Sequence, residues 1–98
     1  MEKNKISIVV PCFNEKEALP LFYNKIILVL NQMSQASETS RLSYELIIVD
    51  DGSMDGTLDV AKELATNDSG VKYISFSRNF GKEAAMYAGL QHAVGEYV

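Results

Sequence analysis

A single cysteine, Cys12, among 98 residues excludes an internal disulfide and points to a reducing, cytoplasmic compartment. Long apolar runs are also missing. None reaches the roughly 18 residues that a bilayer span needs. Met1 to Lys5 is polar, and the apolar run after it is too short for a secretory leader. Basic residues are scarce, with 9 Lys and Arg against 13 Asp and Glu and a formal net charge of -4. Nucleic acids and anionic lipid surfaces attract a net basic face, so this balance argues against both as partners. The lone histidine, His92, has no second ligand at metal spacing and reads as an ordinary helix residue. Cys12 has no histidine near it in sequence and reads as a small buried hydrophobe, not a nucleophile.

What is present is ordinary for one globular domain: 47% apolar and 22% charged residues. Ile6 to Val10 is β-branched except for Ser7 and is closed by Pro11, which predicts a strand buried on both faces. From Glu17 to Met33 the period changes. Leu19, Phe22, Tyr23, Ile26, Ile27, Leu30 and Met33 recur at three- and four-residue steps, which predicts a helix with Pro20 in its first turn. Ser34 to Ser43 reads as a polar loop, and Glu45 to Val49 as a second buried strand ending at Asp50. Asp55 is the expected N-cap of a helix carrying Leu58, Ala61, Leu64 and Ala65 on one face, stopped by Asn67 to Gly70. A third strand spans Val71 to Phe76, and a loop spans Ser77 to Gly81. A third helix, Lys82 to Val94, points Met86, Leu90 and Ala93 inward and stops at Gly95. Tyr97 and Val98 read as the start of a fourth strand. The order βαβαβα(β) predicts an α/β fold, an open parallel sheet with helices on both faces.

Ligands of such sheets bind outside the carboxyl ends of the strands. The residues after each strand are therefore the informative ones: Pro11 to Glu15, Asp50 to Ser53, and Ser77 to Lys82. The first turn has no glycine, so the dinucleotide fingerprint is absent. Gly81-Lys82 is followed by Glu83, so the phosphate-loop motif is absent too. A carboxylate at the tip of a buried strand needs a donor. The ring N–H of uracil or guanine is one that adenine and cytosine lack, so Asp50 as base reader predicts UDP or GDP; turn chemistry is the other reading of Asp-Asp-Gly-Ser. Glu15 either caps the first helix or meets a ligand. Phe13 either packs in the core or walls a base pocket. Arg78, Asn79, Gly81 and Lys82 open a helix with free N–H groups, a glycine for close approach and two cations; they form either an anion site or a solvated basic loop.

Three segments together resemble the N-terminal part of a family 2 glycosyltransferase of the GT-A fold: ISIVVPCFNE, YELIIVDDGSMDGT and SFSRNFGKEAAMYAGLQHAVGEYV. The last is similar to the branch that moves sugars to polyprenyl phosphates, dolichol- or undecaprenyl-linked. The resemblance implies a Rossmann-like nucleotide-sugar-binding portion over residues 1–98. It implies that Pro11, Phe13 and Glu15 line the nucleotide pocket, that Asp50 reads the base, and that Asp51 supports the pocket or ribose side. It places Arg78, Gly81 and Lys82 near the base or phosphates. It further implies transfer from a UDP- or GDP-sugar with inversion, and a divalent Mg²⁺ or Mn²⁺ that offsets charge on the leaving diphosphate. The family's D-x-D metal motif and general base follow the fourth strand and are absent from this chain. The expectation is therefore nucleotide binding without turnover, with membrane association only through further C-terminal parts. The family's strand order places the first strand between the second and fourth; without a full fourth strand Ile6 to Val10 becomes an exposed edge, which predicts a homodimer or larger assembly. The competing reading is a non-catalytic α/β nucleotide-binding or interaction module. A receiver domain is set aside, because its acidic pair would follow the first strand and its acceptor Asp the third.

Overall fold

The computed structural model describes residues 2–36 and 43–97, with side chains placed for 5–33 and 43–94. Four strands, β1 (Glu2–Cys12), β2 (Ser43–Asp50), β3 (Val71–Ser75) and β4 (Gly95–Tyr97), alternate with three helices, α1 (Ala18–Ala36), α2 (Thr57–Asn67) and α3 (Lys82–His92). All pairings are parallel and the order is β3-β2-β1-β4. The expected α/β architecture is what forms, with β1 between β2 and β4. Of the expected 34–43 loop, 34–36 belong to α1, Ser43 opens β2, and 37–42 lie outside the described residues, as does Val98.

The run Leu46 to Val49 explains the sheet. All four side chains are fully buried, because helices cover both faces. The run Ile6 to Val10 of β1, expected to be buried likewise, is not: Ile6, Ile8, Val9 and Val10 are half-buried, since among the described residues β1 has no paired strand on its β4 side beyond Ile6. Leu46 and Ile48 pack with Leu19, Ala61 and Val71 under α1 and α2. Ile47 and Val49 pack with Ala85 under α3.

Several boundaries differ from the sequence reading, each for a physical reason. Pro11 lies inside β1 and does not close it, pairing in register with Val49. Alternate residues of a parallel strand bond to alternate neighbours. The Cys12 carbonyl accepts from the Asp51 N–H at 2.8 Å on the β2 side. Pro11 therefore turns its backbone to the other side, where β4 pairs only as far as Ile6 with Tyr97, and no ladder donor is lost. The N-cap of α2 is Gly56, not Asp55. Asp55 stands one residue earlier and still accepts from the Thr57 N–H at 3.0 Å. Helix α3 ends at His92, and Gly95 opens β4 instead of stopping the helix.

The inward face of α3 is also corrected. Ala85 and Gly89 are buried, while Met86 and Leu90 are 36% and 49% exposed. A Cβ on Gly89 would lie 2.2 Å from Val9 Cγ1, so α3 sits too close to β1 for large side chains on that face. Of the three residues expected inward, only Ala93 packs against the Ile47–Val49 cluster.

Two carboxylates, the half-buried Asp68 and the buried Glu45, tie neighbouring elements together by hydrogen bonds. Asp68, at the end of α2, accepts from Tyr23 of α1 at 2.5 Å, from the Tyr44 hydroxyl of β2, and from the Gly70 N–H at 2.9 Å. Glu45 of β2 accepts from Ser7 Oγ at 2.8 Å, from the Val94 N–H at 2.8 Å and from Lys72 Nζ at 3.2 Å. The Val94 bond fixes where the chain leaves α3 for β4.

Burial alone would raise the Glu45 pKa. The Val94 N–H, the Ser7 hydroxyl and the Lys72 ammonium together outweigh it and hold the carboxyl below its ordinary 4.5. A depressed folded pKa means that this stabilisation is present above the unfolded value and is lost as pH falls through the folded one. Replacing Glu45 by Gln puts an amide N–H₂ among three donors. Thermal unfolding at pH 7 should show a loss of about 2 kcal/mol. Between pH 5 and 3 the variant should lose less further stability than the wild type.

Candidate functional site

The three loops at the carboxyl ends of β1, β2 and β3 form one rim, and each is held by its neighbours. Asp51, 3% exposed, is the centre of this arrangement. Its Oδ1 accepts from the Phe80 N–H at 2.8 Å. Its Oδ2 accepts from the Gly81 N–H at 3.0 Å and from Asn79 Nδ2 at 3.2 Å. Gly52 follows at φ +75°, and a Cβ there would lie 2.3 Å from the Arg78 carbonyl carbon, so the β2–α2 and β3–α3 loops touch backbone to backbone. The β1–α1 loop is tied to the β2–α2 loop in turn. The Asn14 N–H donates to Ser53 Oγ at 2.8 Å, the Glu15 N–H to Thr57 Oγ1 at 2.9 Å and the Lys16 N–H to Asp55 Oδ2 at 3.2 Å.

Asp50, the last residue of β2, is 2% exposed. Its Oδ1 accepts from the Ser53 N–H at 3.3 Å. It lies in the wall of a pocket of about 390 Å³ with Phe13, Gly52, Phe76, Arg78 and Asn79. That volume suits a small organic ligand. The Arg78 guanidinium lies over the Phe80 ring, 4.7 Å from its centroid, a cation–π contact beside this pocket. A second pocket of about 220 Å³ is lined by Pro11, Cys12, Phe13, Glu15, Asp51 and Lys82. Phe13, 45% exposed, is common to both pockets.

The structure thus gathers Pro11, Phe13, Glu15, Asp51 and Lys82 around one pocket and Phe13, Asp50 and Arg78 around its neighbour. Gly81 lines neither. It is the N-cap of α3 at φ +103°, and a Cβ on it would meet nothing within 4 Å. Its positive φ favours glycine, and the protein itself leaves the space beside its Cα open. The free N–H groups expected at this helix start are partly spent, since those of Phe80 and Gly81 serve Asp51. Glu15 begins α1 through its carbonyl, which accepts from the Leu19 N–H at 2.9 Å, while its carboxylate side chain lies in the pocket wall. Phe13 is not a core residue. His92 is exposed, with Nδ1–H donating to the Ala88 carbonyl at 2.9 Å. Cys12 is buried. Desolvation, helped by the negative charges of Glu15 and Asp50, pushes its thiol up to about 11, so it is neutral near pH 7.

The sequence reading missed the side chains that hold the rim together: Asn14 and Ser53 as partners, Thr57, and Asn79 as a donor to Asp51. Turn-forming residue types were the only signal available, because the partners are 28 to 42 residues apart. Among the described residues, no group of three or more His, Cys, Asp and Glu is placed to hold a metal ion. These residues therefore do not fit the Mg²⁺ or Mn²⁺ that the resemblance implies. Among them no helix is long and apolar enough to cross a membrane.

Residues 7–98 match the profile of glycosyl transferase family 2. The chain is 43% identical over 94 residues to a prophage bactoprenol glucosyl transferase homolog of Escherichia coli K12, covering 96% of this chain and 28% of that protein. It is 44% identical over 94 residues to the bactoprenol glucosyl transferase of Shigella phage SfV, with the same coverage of 96% and 28%. It is 38% identical over 96 residues to the undecaprenyl-phosphate 4-deoxy-4-formamido-L-arabinose transferase of Proteus mirabilis, covering 97% of this chain and 27% of that protein. The chain belongs to glycosyl transferase family 2. It spans little more than a quarter of the length of these relatives, in each case 28% or less.

The Asp51 clamp is directly testable. Replacing Asp51 by Asn leaves one acceptor oxygen for three donors and removes the charge from those bonds. The expected cost is about 2 kcal/mol in thermal or urea unfolding. Amide hydrogen exchange at Phe80 and Gly81 should accelerate ahead of exchange in Leu46 to Val49, because the loop loosens before the core opens.

Proposed function

We propose that residues 1–98 are the nucleotide-sugar-binding portion of a glycosyltransferase that moves a sugar from a UDP- or GDP-linked donor, with inversion, to an acceptor such as a polyprenyl phosphate. The observation that carries this reading is Asp50, a buried carboxylate with one backbone donor on one oxygen, facing a pocket of about 390 Å³ between Phe13 and Phe76. A nucleobase with a ring N–H supplies the donor that such a carboxylate lacks. Phe13 and Phe76 offer apolar walls to a planar ring. Asp51 has three donors of its own and acts by holding the loop that carries Arg78 and Lys82, which supports the pocket side of the expected alternatives. Lys82, in the smaller pocket beside Pro11 and Glu15, is the cation nearest the expected path of the diphosphate. Gly81 sets the start of α3 behind it. The names of these relatives, with bactoprenol and undecaprenyl phosphate in them, support the lipid-linked acceptor. The divalent ion, and any attachment to a membrane, belong in this reading to parts of the enzyme beyond these residues. A cytoplasmic location fits the lone buried thiol.

Titration with UDP, GDP, ADP and CDP tests the reading. UDP or GDP should bind in preference to the other two. Replacing Asp50 by Asn should weaken the preferred nucleotide by on the order of 1–2 kcal/mol. Equal binding of all four, or no effect of the substitution, favours a non-catalytic module instead.

The same reading includes self-association. Beyond Ile6, β1 pairs with no strand on its β4 side among the described residues. The half-exposed Phe22, Val29 and Met33 of α1 and Tyr87 and Leu90 of α3 leave apolar surface on both helix layers. Light scattering across a dilution series should show a dimer or larger species at micromolar concentration. A monomer throughout removes this part of the proposal.

A further inference from the structure

We infer that Asn14 is a positioning residue, which fixes the Phe13 ring as the partition between the two pockets. The inference rests on the nucleotide reading above only for what the pockets hold. Phe13 is 45% exposed, so its own burial gives it little to hold it in one place. It nevertheless lines both pockets. Its direction must be set by the backbone, and the next residue shows how. Asn14 has φ +55°, and it is the only non-glycine residue with positive φ among those described. Asn accepts this left-handed conformation more readily than most residues but still needs surroundings that enforce it.

Those surroundings are a reciprocal pair of hydrogen bonds. The Asn14 N–H donates to Ser53 Oγ at 2.8 Å, and the Met54 N–H donates to Asn14 Oδ1 at 3.0 Å. Both cross from the β1–α1 loop to the β2–α2 loop. Glu15 and Lys16 are tied to the same loop, but only through their backbone N–H groups. Asn14 is the residue that adjoins Phe13 and contributes its own side chain. Ser53 then extends the link. Its hydroxyl accepts from Asn14, and its backbone N–H donates to Asp50 Oδ1 at 3.3 Å. A path of three residues therefore sets the spacing of the Phe13 ring from the Asp50 carboxylate across the larger pocket. Loss of the Asn14 side chain should free the ring without removing any group that touches a ligand.

The chain contains no tryptophan, so Phe13→Trp gives a single indole reporter at the position in question. In that background, Asn14→Gly keeps the left-handed backbone accessible and removes the acceptor, whereas Asn14→Asp keeps both. The expected result is a fall in indole anisotropy without ligand for Asn14→Gly, with a UDP affinity about 3- to 10-fold weaker. Asn14→Asp should match its parent in both readouts, and thermal unfolding should show all three proteins folded. Unchanged anisotropy in Asn14→Gly, or an equal fall in Asn14→Asp, overturns the inference. If no protein of the series binds UDP or GDP, the nucleotide reading fails, and the anisotropy still decides whether Asn14 positions residue 13. Should the indole itself perturb the fold, the same two substitutions beside the natural Phe13 serve. They are then read by calorimetric UDP titration and by exchange of the Met54 amide, which should quicken in Asn14→Gly only.

Discussion

The rim of this sheet is organised around one buried anion. Asp51 loses its hydration on folding and receives in return the N–H groups of Phe80 and Gly81 and the amide of Asn79. A carboxylate buried without such donors would cost several kcal/mol, so the loop before α3 cannot move without exposing or orphaning it. Gly52 is the geometric side of the same constraint, since only a residue without Cβ lets the Arg78 backbone come so near. From this contact the rest of the site follows. Arg78 is carried to the wall of one pocket and Lys82 to the wall of the other, from opposite ends of the clamped segment. The two pockets thus differ in character: one has the buried Asp50 carboxylate in its wall, the other the Lys82 cation.

The same device recurs away from the site. Asp68 joins α1, α2 and β2 through two tyrosine hydroxyls, and Glu45 joins β1, β2, β3 and the entrance to β4. In each case a carboxylate fixes a junction where the chain passes between elements. Burial raises both tyrosines, with the Asp68 charge adding to it, and Tyr23 is pushed up to about 12. Desolvation works against ionised Asp68, but the donated hydroxyls and the Gly70 N–H outweigh it and keep the carboxyl below the ordinary range. These junctions are therefore anion-centred throughout the neutral range. In a domain of this size, with a core confined to two small clusters, such fixed junctions supply order that packing alone does not.

Close approach is the second theme. Gly89 lets α3 lie directly on Val9, and Ala85 does the same over Ile47 and Val49. The larger residues of α3 are displaced outward in consequence, and Met86, Tyr87 and Leu90 stand in solvent. Helical periodicity read by residue size points the wrong way here. The rule that large apolar residues face the core assumes room for them, and a helix seated on a β-branched strand has little.

The sequence by itself was enough for the element order, the parallel sheet, and the buried run of β2, because those depend on local periodicity and β-branched composition; the like run of β1 is only half-buried. It was enough as well to bring the loops after β1, β2 and β3 to one rim, since parallel strands put their carboxyl ends on the same side. Tertiary structure alone decided that Pro11 continues β1, that Gly81 takes a positive φ at the start of α3, and that α3 turns its small residues inward. It also decided which polar residues act on one another: Asn14 with Ser53 and Met54, Asp51 with the loop before α3, Glu45 with Val94. Those partners are 28 to 49 residues apart along the chain. Residue type can say that an Asn or an Asp will find a partner near a turn. Only the crossing of loops between neighbouring parallel strands says which partner it finds, because that crossing is fixed by the register of strands whose own pairing carries no trace of the loops.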